Sequence, residues 1–91
     1  MIKVIFDSMG NRAVAYDEEK EVGESTLSPS EKLWIIDHTF VDPAYKGQSI
    51  GQKMISAIVH EARALNKKIM PLCPFAASEF RKNPSYEDVL N

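Results

Sequence analysis

One segment limits the fold of this chain more than any other. The apolar run Leu33–Val41 passes through a polar turn into an amphipathic stretch ending at Leu65, and a second apolar segment, Lys68–Leu72, follows almost at once. In the middle stretch Met54, Ile58, Ala62 and Leu65 recur at helical spacing, while Gln52, Lys53, His60, Glu61 and Arg63 fall mostly on other faces. Asn66 suits a left-handed helix stop, and Lys67-Lys68 suits the negative helix end. Strand, helix and strand in that order predict a parallel pair, because parallel neighbours need a long crossover between them. Large apolar or β-branched residues on both faces make Leu33–Val41 a central strand, with Asp42-Pro43 as its end.

The flanking segments complete an α/β (α+β) plan. Ile2, Val4 and Phe6 alternate as a half-buried strand does, and Gly10-Asn11 predicts a tight hairpin with positive backbone dihedrals before Arg12–Tyr16 resumes the alternation. Asp17–Lys20 reads as a charged turn, Glu21–Leu27 as a weaker strand interrupted by Gly23, and Ser28-Pro29-Ser30-Glu31 as a loop. Phe75–Lys82 predicts a second helix, with Pro74 tolerated at its start and Asn83-Pro84 closing it. Ser85-Tyr86-Glu87-Asp88 has capping-box spacing for a final turn. The expectation is one domain over residues 1–91, a mixed, mostly antiparallel sheet of about five strands with two main helices.

Composition narrows the function classes. With 44% hydrophobic and 26% charged residues the chain is ordinary for a globular protein. A formal charge of −2 leaves no basic footprint for nucleic acid, and no apolar run approaches a membrane span. The single cysteine, Cys73, has no internal disulfide partner, which points to a reducing cytoplasm, as does the absence of a secretory leader pattern at Met1–Asp7. Two histidines and one cysteine without ligand spacing predict no metal site.

The chemistry concentrates where the central strand meets the helix. Lys46-Gly47-Gln48-Ser49-Ile50-Gly51-Gln52 opens the helix, so the unpaired amides of its first turn and the positive dipole end converge on one place, with Lys46 adding mobile charge. That is how a chain builds an anion cradle. The Ser49 hydroxyl either contacts the anion or caps the helix, since Ser49-Ile50-Gly51-Gln52 also has capping-box spacing. Cys73 lies at a strand end just before a helix start, a position that favours a thiolate nucleophile, or it is a small buried hydrophobe. His38 is either a general base, for an amine or for Cys73, or a strand histidine with a packing role. Alternation places His38 on one face with Trp34, Ile36 and Phe40, and His60 reads as surface.

These residues together resemble the GNAT superfamily of acyl-CoA N-acetyltransferases, in its compact single-domain branch. The resemblance rests on His38-Thr39-Phe40-Val41, on the Lys46–Gly51 turn with its helix, and on Pro71-Leu72-Cys73-Pro74-Phe75 running on to Tyr86. In the superfamily's Gln/Arg-x-x-Gly-x-Gly/Ala turn, Lys46, Ser49 and Gly51 stand at the three defined positions, so the cation loses the planar fork of a guanidinium. The resemblance implies acetyl-CoA as cosubstrate, its diphosphate on the turn and its pantetheine along the Ile36–Val41 strand beside Phe40 and Val41. It implies an unidentified amine or protein acceptor and an oxyanion steadied by a backbone amide of that strand. Tyr86 falls near the position of a tyrosine that returns a proton to coenzyme A, or else pins the C-terminus by packing. The acetyl group moves directly or through Cys73; a non-catalytic acyl-CoA-binding or interaction module is the alternative. The superfamily's two helices after the first strand have no place here, and its closing strands are missing. Oligomeric state stays open.

Overall fold

The computed structural model describes residues 1–91. Five strands, β1 (Ile2–Asp7), β2 (Arg12–Asp17), β3 (Lys20–Pro29), β4 (Leu33–Val41) and β5 (Lys68–Pro71), form one sheet in sequence order. The first three neighbouring pairs are antiparallel and β4–β5 is parallel, joined by helix α1 (Ile50–Ala64). Helix α2 (Pro74–Lys82) follows β5, and short 3-10 helices occupy Pro43–Tyr45 and Pro84–Val89. The mixed sheet with two main helices is therefore the architecture the sequence predicts.

The elements differ from expectation where polar side chains or paired backbones decide. The β1–β2 connection is the four-residue loop Ser8–Asn11, in which Asn11 alone takes a positive φ; Asp7 draws it closed by accepting from the amides of Met9 and Gly10 at 3.1 Å. Strand β3 absorbs Ser28-Pro29, read as loop from sequence, because the last ladder pairs are Ser28 with Ile35 and Pro29 with Trp34. Helix α1 ends one residue before Leu65 in a Schellman turn, with Asn66 left-handed and the Lys67 amide on the Ala62 carbonyl at 2.8 Å. No side chain caps the final 3-10 helix, and Asp88 instead pairs with Arg63 at 2.6 Å.

Both helices bury one face of the sheet. Ala13, Ala15, Trp34 and Ile36 from the strands meet Met54, Ile55, Ile58 and Ala62 of α1 in a continuous core that also takes in Ala76, Phe80 and Cys73. The Phe6 and Trp34 rings stack within this layer, 5.5 Å apart. No helix covers the opposite face, where Ile5 and Phe40 are exposed. No helix of the chain is long and apolar enough to cross a membrane.

Candidate functional site

A bulge in β4 builds the site. Thr26 pairs with His38 but the next residue, Leu27, pairs with Ile36, so Asp37 is the extra residue. Its carboxylate fixes the distortion by accepting from the hydroxyls of Thr26 (2.6 Å) and Ser28 (2.8 Å). The Thr26 hydroxyl, helped by Ser28, holds the Asp37 carboxyl below its ordinary value of 3.8. One extra residue reverses side-chain parity downstream. Trp34 and Ile36 face the helices, but past Asp37 it is Thr39 and Val41 that do so, while His38 and Phe40 turn to the open face. The expected shared face of Trp34, Ile36, His38 and Phe40 is therefore broken by the bulge.

Beyond the bulge β4 and β5 part. Their pairing covers only Leu33–Ile36 against Lys68–Pro71, and the Ile36 carbonyl receives both the Leu72 and Cys73 amides at 3.0 Å as the chain turns into α2. Strand β4 continues to Val41 without a partner on that side. The Asp42 amide bonds to Val22 of β3, so by alternation the amides of Thr39 and Val41 point into the opening.

The Lys46–Gln52 turn, the expected anion cradle, lies at the far end of this opening. Asp42 accepts from the Ala44 amide at 2.9 Å to start the 3-10 turn, Lys46 leaves it extended, and Gly47 takes a φ of 84°. Ser49 takes a φ of 59°, a left-handed conformation, and its hydroxyl makes no capping hydrogen bond. Of the two readings of the Ser49 hydroxyl, the helix cap is therefore not the one formed. The first satisfied amide is that of Lys53, on the Ser49 carbonyl at 3.0 Å, and none from Gly47 to Gln52 has a protein acceptor. All of these residues but Gln48 line a cavity of about 220 Å3, together with Val41, Tyr45, Lys46 and Phe75. Gly51 allows this closeness, since a Cβ there would stand 2.6 Å from Phe75 Cζ.

Tyr45 is held from behind. Its hydroxyl donates to Asp17 at 2.7 Å, and Asp17 also receives the N-terminal ammonium at 3.2 Å. The Tyr45 hydroxyl first, then the ammonium, hold the Asp17 carboxyl below its ordinary 3.8; the same hydrogen bond raises the Tyr45 phenol above 10.0.

The remaining candidates separate. Cys73 is 7% exposed and caps α2, its sulfur accepting from the Ala76 amide at 3.4 Å and sharing a hydrogen with the Thr39 hydroxyl at 3.4 Å. Thr39 also bonds Ser25 at 3.0 Å. The hydroxyl of Thr39, not the imidazole of His38, thus touches the thiol; His38 is exposed beside Thr26 on the open face. Tyr86 packs its ring on Phe80, 5.3 Å away, near the opposite end of α2 from Cys73. Sequence reasoning missed Thr39, Tyr45, Phe75 and Asp17. The polar Ser25 and Thr39 among apolar strand positions were the available signal for the first, while the others depend on contacts between distant segments.

The family model described as GCN5-related N-acetyl-transferase matches residues 12–89. A GCN5-like protein from Staphylococcus aureus, proposed to be an N-acetyltransferase and solved by NMR, is 32% identical. It superposes with a TM-score of 0.76 over 98% of this chain and 87% of its own. The crystal structure of a ribosomal-protein-alanine N-acetyltransferase from Brucella melitensis biovar Abortus 2308 shares the fold at 17% identity and a TM-score of 0.52, over 89% of this chain and 64% of that one. No curated protein sequence matches the chain.

Proposed function

The chain belongs to the GCN5-related N-acetyltransferase family, and from that membership we propose that residues 1–91 act as one acetyl-CoA-binding domain that transfers acetyl to an amine. The observation that carries this reading is the run of free amides from Gly47 to Gln52 around the cavity beside the parted strands. Consecutive peptide N–H groups at the start of a 15-residue helix suit the oxygens of a diphosphate, with Lys46 as a nearby point charge. At about 220 Å3 the cavity fits that fragment rather than a whole coenzyme. The rest of the ligand then lies along β4 past Val41 and Phe40, pairing with the outward backbone groups as an added strand does. When bound, acetyl-CoA supplies a thioester-activated acetyl group.

The chain's own groups then have definite tasks. An outward amide of Thr39 or Val41 donates to the acyl oxygen as charge gathers on it, a preorganised contribution that needs no side chain. His38, on the open face, takes the proton from the attacking amine as its nitrogen bonds to the acyl carbon, and the thioester C–S bond breaks to release coenzyme A as its thiolate. Cys73 has a hydroxyl and an amide at its sulfur but no base in contact, which favours direct attack over a relay through the thiol. Tyr86 we assign to packing, since its ring is committed to Phe80. A lone thiol at the site suits the reducing cytoplasm.

Amide-resolved NMR titration with acetyl-CoA and coenzyme A tests the binding half: shifts concentrated at Gly47–Gln52 are expected, and unchanged spectra at millimolar ligand would overturn it. A non-catalytic acyl-CoA-binding module is favoured by one observation, the direct β1–β2 connection through four residues, which leaves no helices to enclose an acceptor. Binding without transfer to any of a broad panel of amines and proteins supports that second reading.

A further inference from the structure

The sheet has two edges, and the chain protects only one. On the β5 side Leu90 forms a parallel bridge with Ile69, and the Asn91 amide bonds to the Ile69 carbonyl at 2.9 Å. On the other side β1 is a six-residue edge strand without proline, bulge or covering segment. Such an edge presents a row of unpaired peptide groups, and Lys3 is the only cation along it. Between β1 and the neighbouring turns of α1 runs an open groove of about 580 Å3, lined by Val4, Ile5, Phe6, Lys53, Ala57 and Glu61 among others.

We propose that this edge is a self-association surface, occupied by β1 of a second copy of the chain related by a twofold axis. Charge is self-complementary about one axis in two elements. Antiparallel pairing of β1 with itself centred on Ile5 sets Ile5 against Ile5, Val4 against Phe6, and Lys3 against Asp7 at both ends. Asp7 keeps room for this, because its second oxygen is 3.7 Å from Arg12 Nε, a loose contact. The same twofold lays α1 beside its copy. Lys53, Ala57 and Glu61 line the groove beside Val4, Ile5 and Phe6, so the face of α1 that carries them lies toward the new seam and toward its copy. Antiparallel pairing of α1 centred on Ala57 sets Lys53 against Glu61 at both ends, and neither residue has an ionic partner within its own chain.

The two spans agree. Lys3 and Asp7 are about 13 Å apart along an extended strand, and Lys53 and Glu61 about 12 Å apart along a helix. Both opposite-charge pairs therefore straddle one axis, with an apolar or small residue at its centre. A closed twofold of this kind uses the exposed β1 edge completely. The β4–β5 opening lies at the other side of the sheet and stays accessible.

Sedimentation equilibrium of the whole chain tests the proposal. Wild type is expected to reach twice the 10.2 kDa mass of one chain as concentration rises. Lys53→Glu and Glu61→Lys each set like charges against each other at both ends and are expected to weaken association about tenfold or more. Mixed together, the two variants restore both attractive contacts and recover the dimer. A single-chain mass for wild type at every concentration up to about 1 mM overturns the proposal. So does a dimer that the two variants leave intact or that their mixture fails to restore.

Discussion

Gly51 lies against the Phe75 ring and Cys73 caps the helix that carries that ring, and at each a single atom sets the local geometry. In an ordinary helix interior, Gly→Ala gains about 1 kcal/mol from backbone entropy. At Gly51 the added carbon meets the Phe75 ring at 2.6–3.3 Å, so the ring must swing out of the cradle wall. The two effects offset, and Gly51→Ala is expected to leave the melting temperature within a few degrees while weakening acetyl-CoA binding severalfold, as calorimetry and titration would show. Cys73 is an N-cap as well as a candidate nucleophile. Serine is a preferred N-cap, so Cys73→Ser keeps the bonds to Thr39 and the Ala76 amide and folds with wild-type stability, whereas Cys73→Ala costs about 1 kcal/mol. Acetyl transfer that survives in Cys73→Ser establishes direct attack, and transfer lost in a protein of unchanged denaturation midpoint establishes the thiol route.

Strand β4 owes its two halves to a single extra residue. Before Asp37 it pairs on both sides; after it, it pairs only with β3 and opens toward α2. Asp37→Ala removes two hydroxyl hydrogen bonds from the bulge and is expected to destabilise the fold by about 1–2 kcal/mol. Chemical shifts from His38 to Val41 should broaden as the register on the two sides of the bulge competes. At the other end of α1, Arg63 grips Asp88 through two nitrogens at 2.6 and 2.7 Å and the Ser85 carbonyl at 3.0 Å. Arg63→Ala should therefore release the C-terminal segment from the edge of β5, seen as faster amide exchange at Leu90 and Asn91 with little change in β1–β3.

Three carboxylates tie distant parts of the molecule together, and all are held below their ordinary 3.8: Asp17 by Tyr45 and the N-terminus, Asp37 by Thr26, Asp88 by Arg63. A group with a depressed folded pKa contributes its stability in full above the unfolded value and loses it as pH falls through the folded one. Stability is thus expected to be level through neutral pH and to fall below about pH 4, with Tyr45, raised by Asp17, adding a second loss only above pH 10; urea midpoints across pH 2–11 check both. The order of elements, the parallel β4–α1–β5 unit and the glycine turn were legible in the sequence because they follow from local periodicity and turn chemistry. The same logic left Ser49 open between a cap and a ligand contact, where a left-handed backbone leaves the cap unmade, and it failed at Pro29, where cross-strand pairing extends β3 through a residue that punctuates most strands. It failed most at His38. Strict alternation put His38 beside Trp34, but a bulge is a property of two strands, set by which residue on β3 finds which on β4. Local periodicity and turn chemistry suffice for which segments become strands and helices and for where free amides gather. Which side chains share the opening depends on long-range contacts, because parity beyond Asp37, the Thr39–Cys73 contact and the Asp17–Tyr45 brace each join residues far apart along the chain.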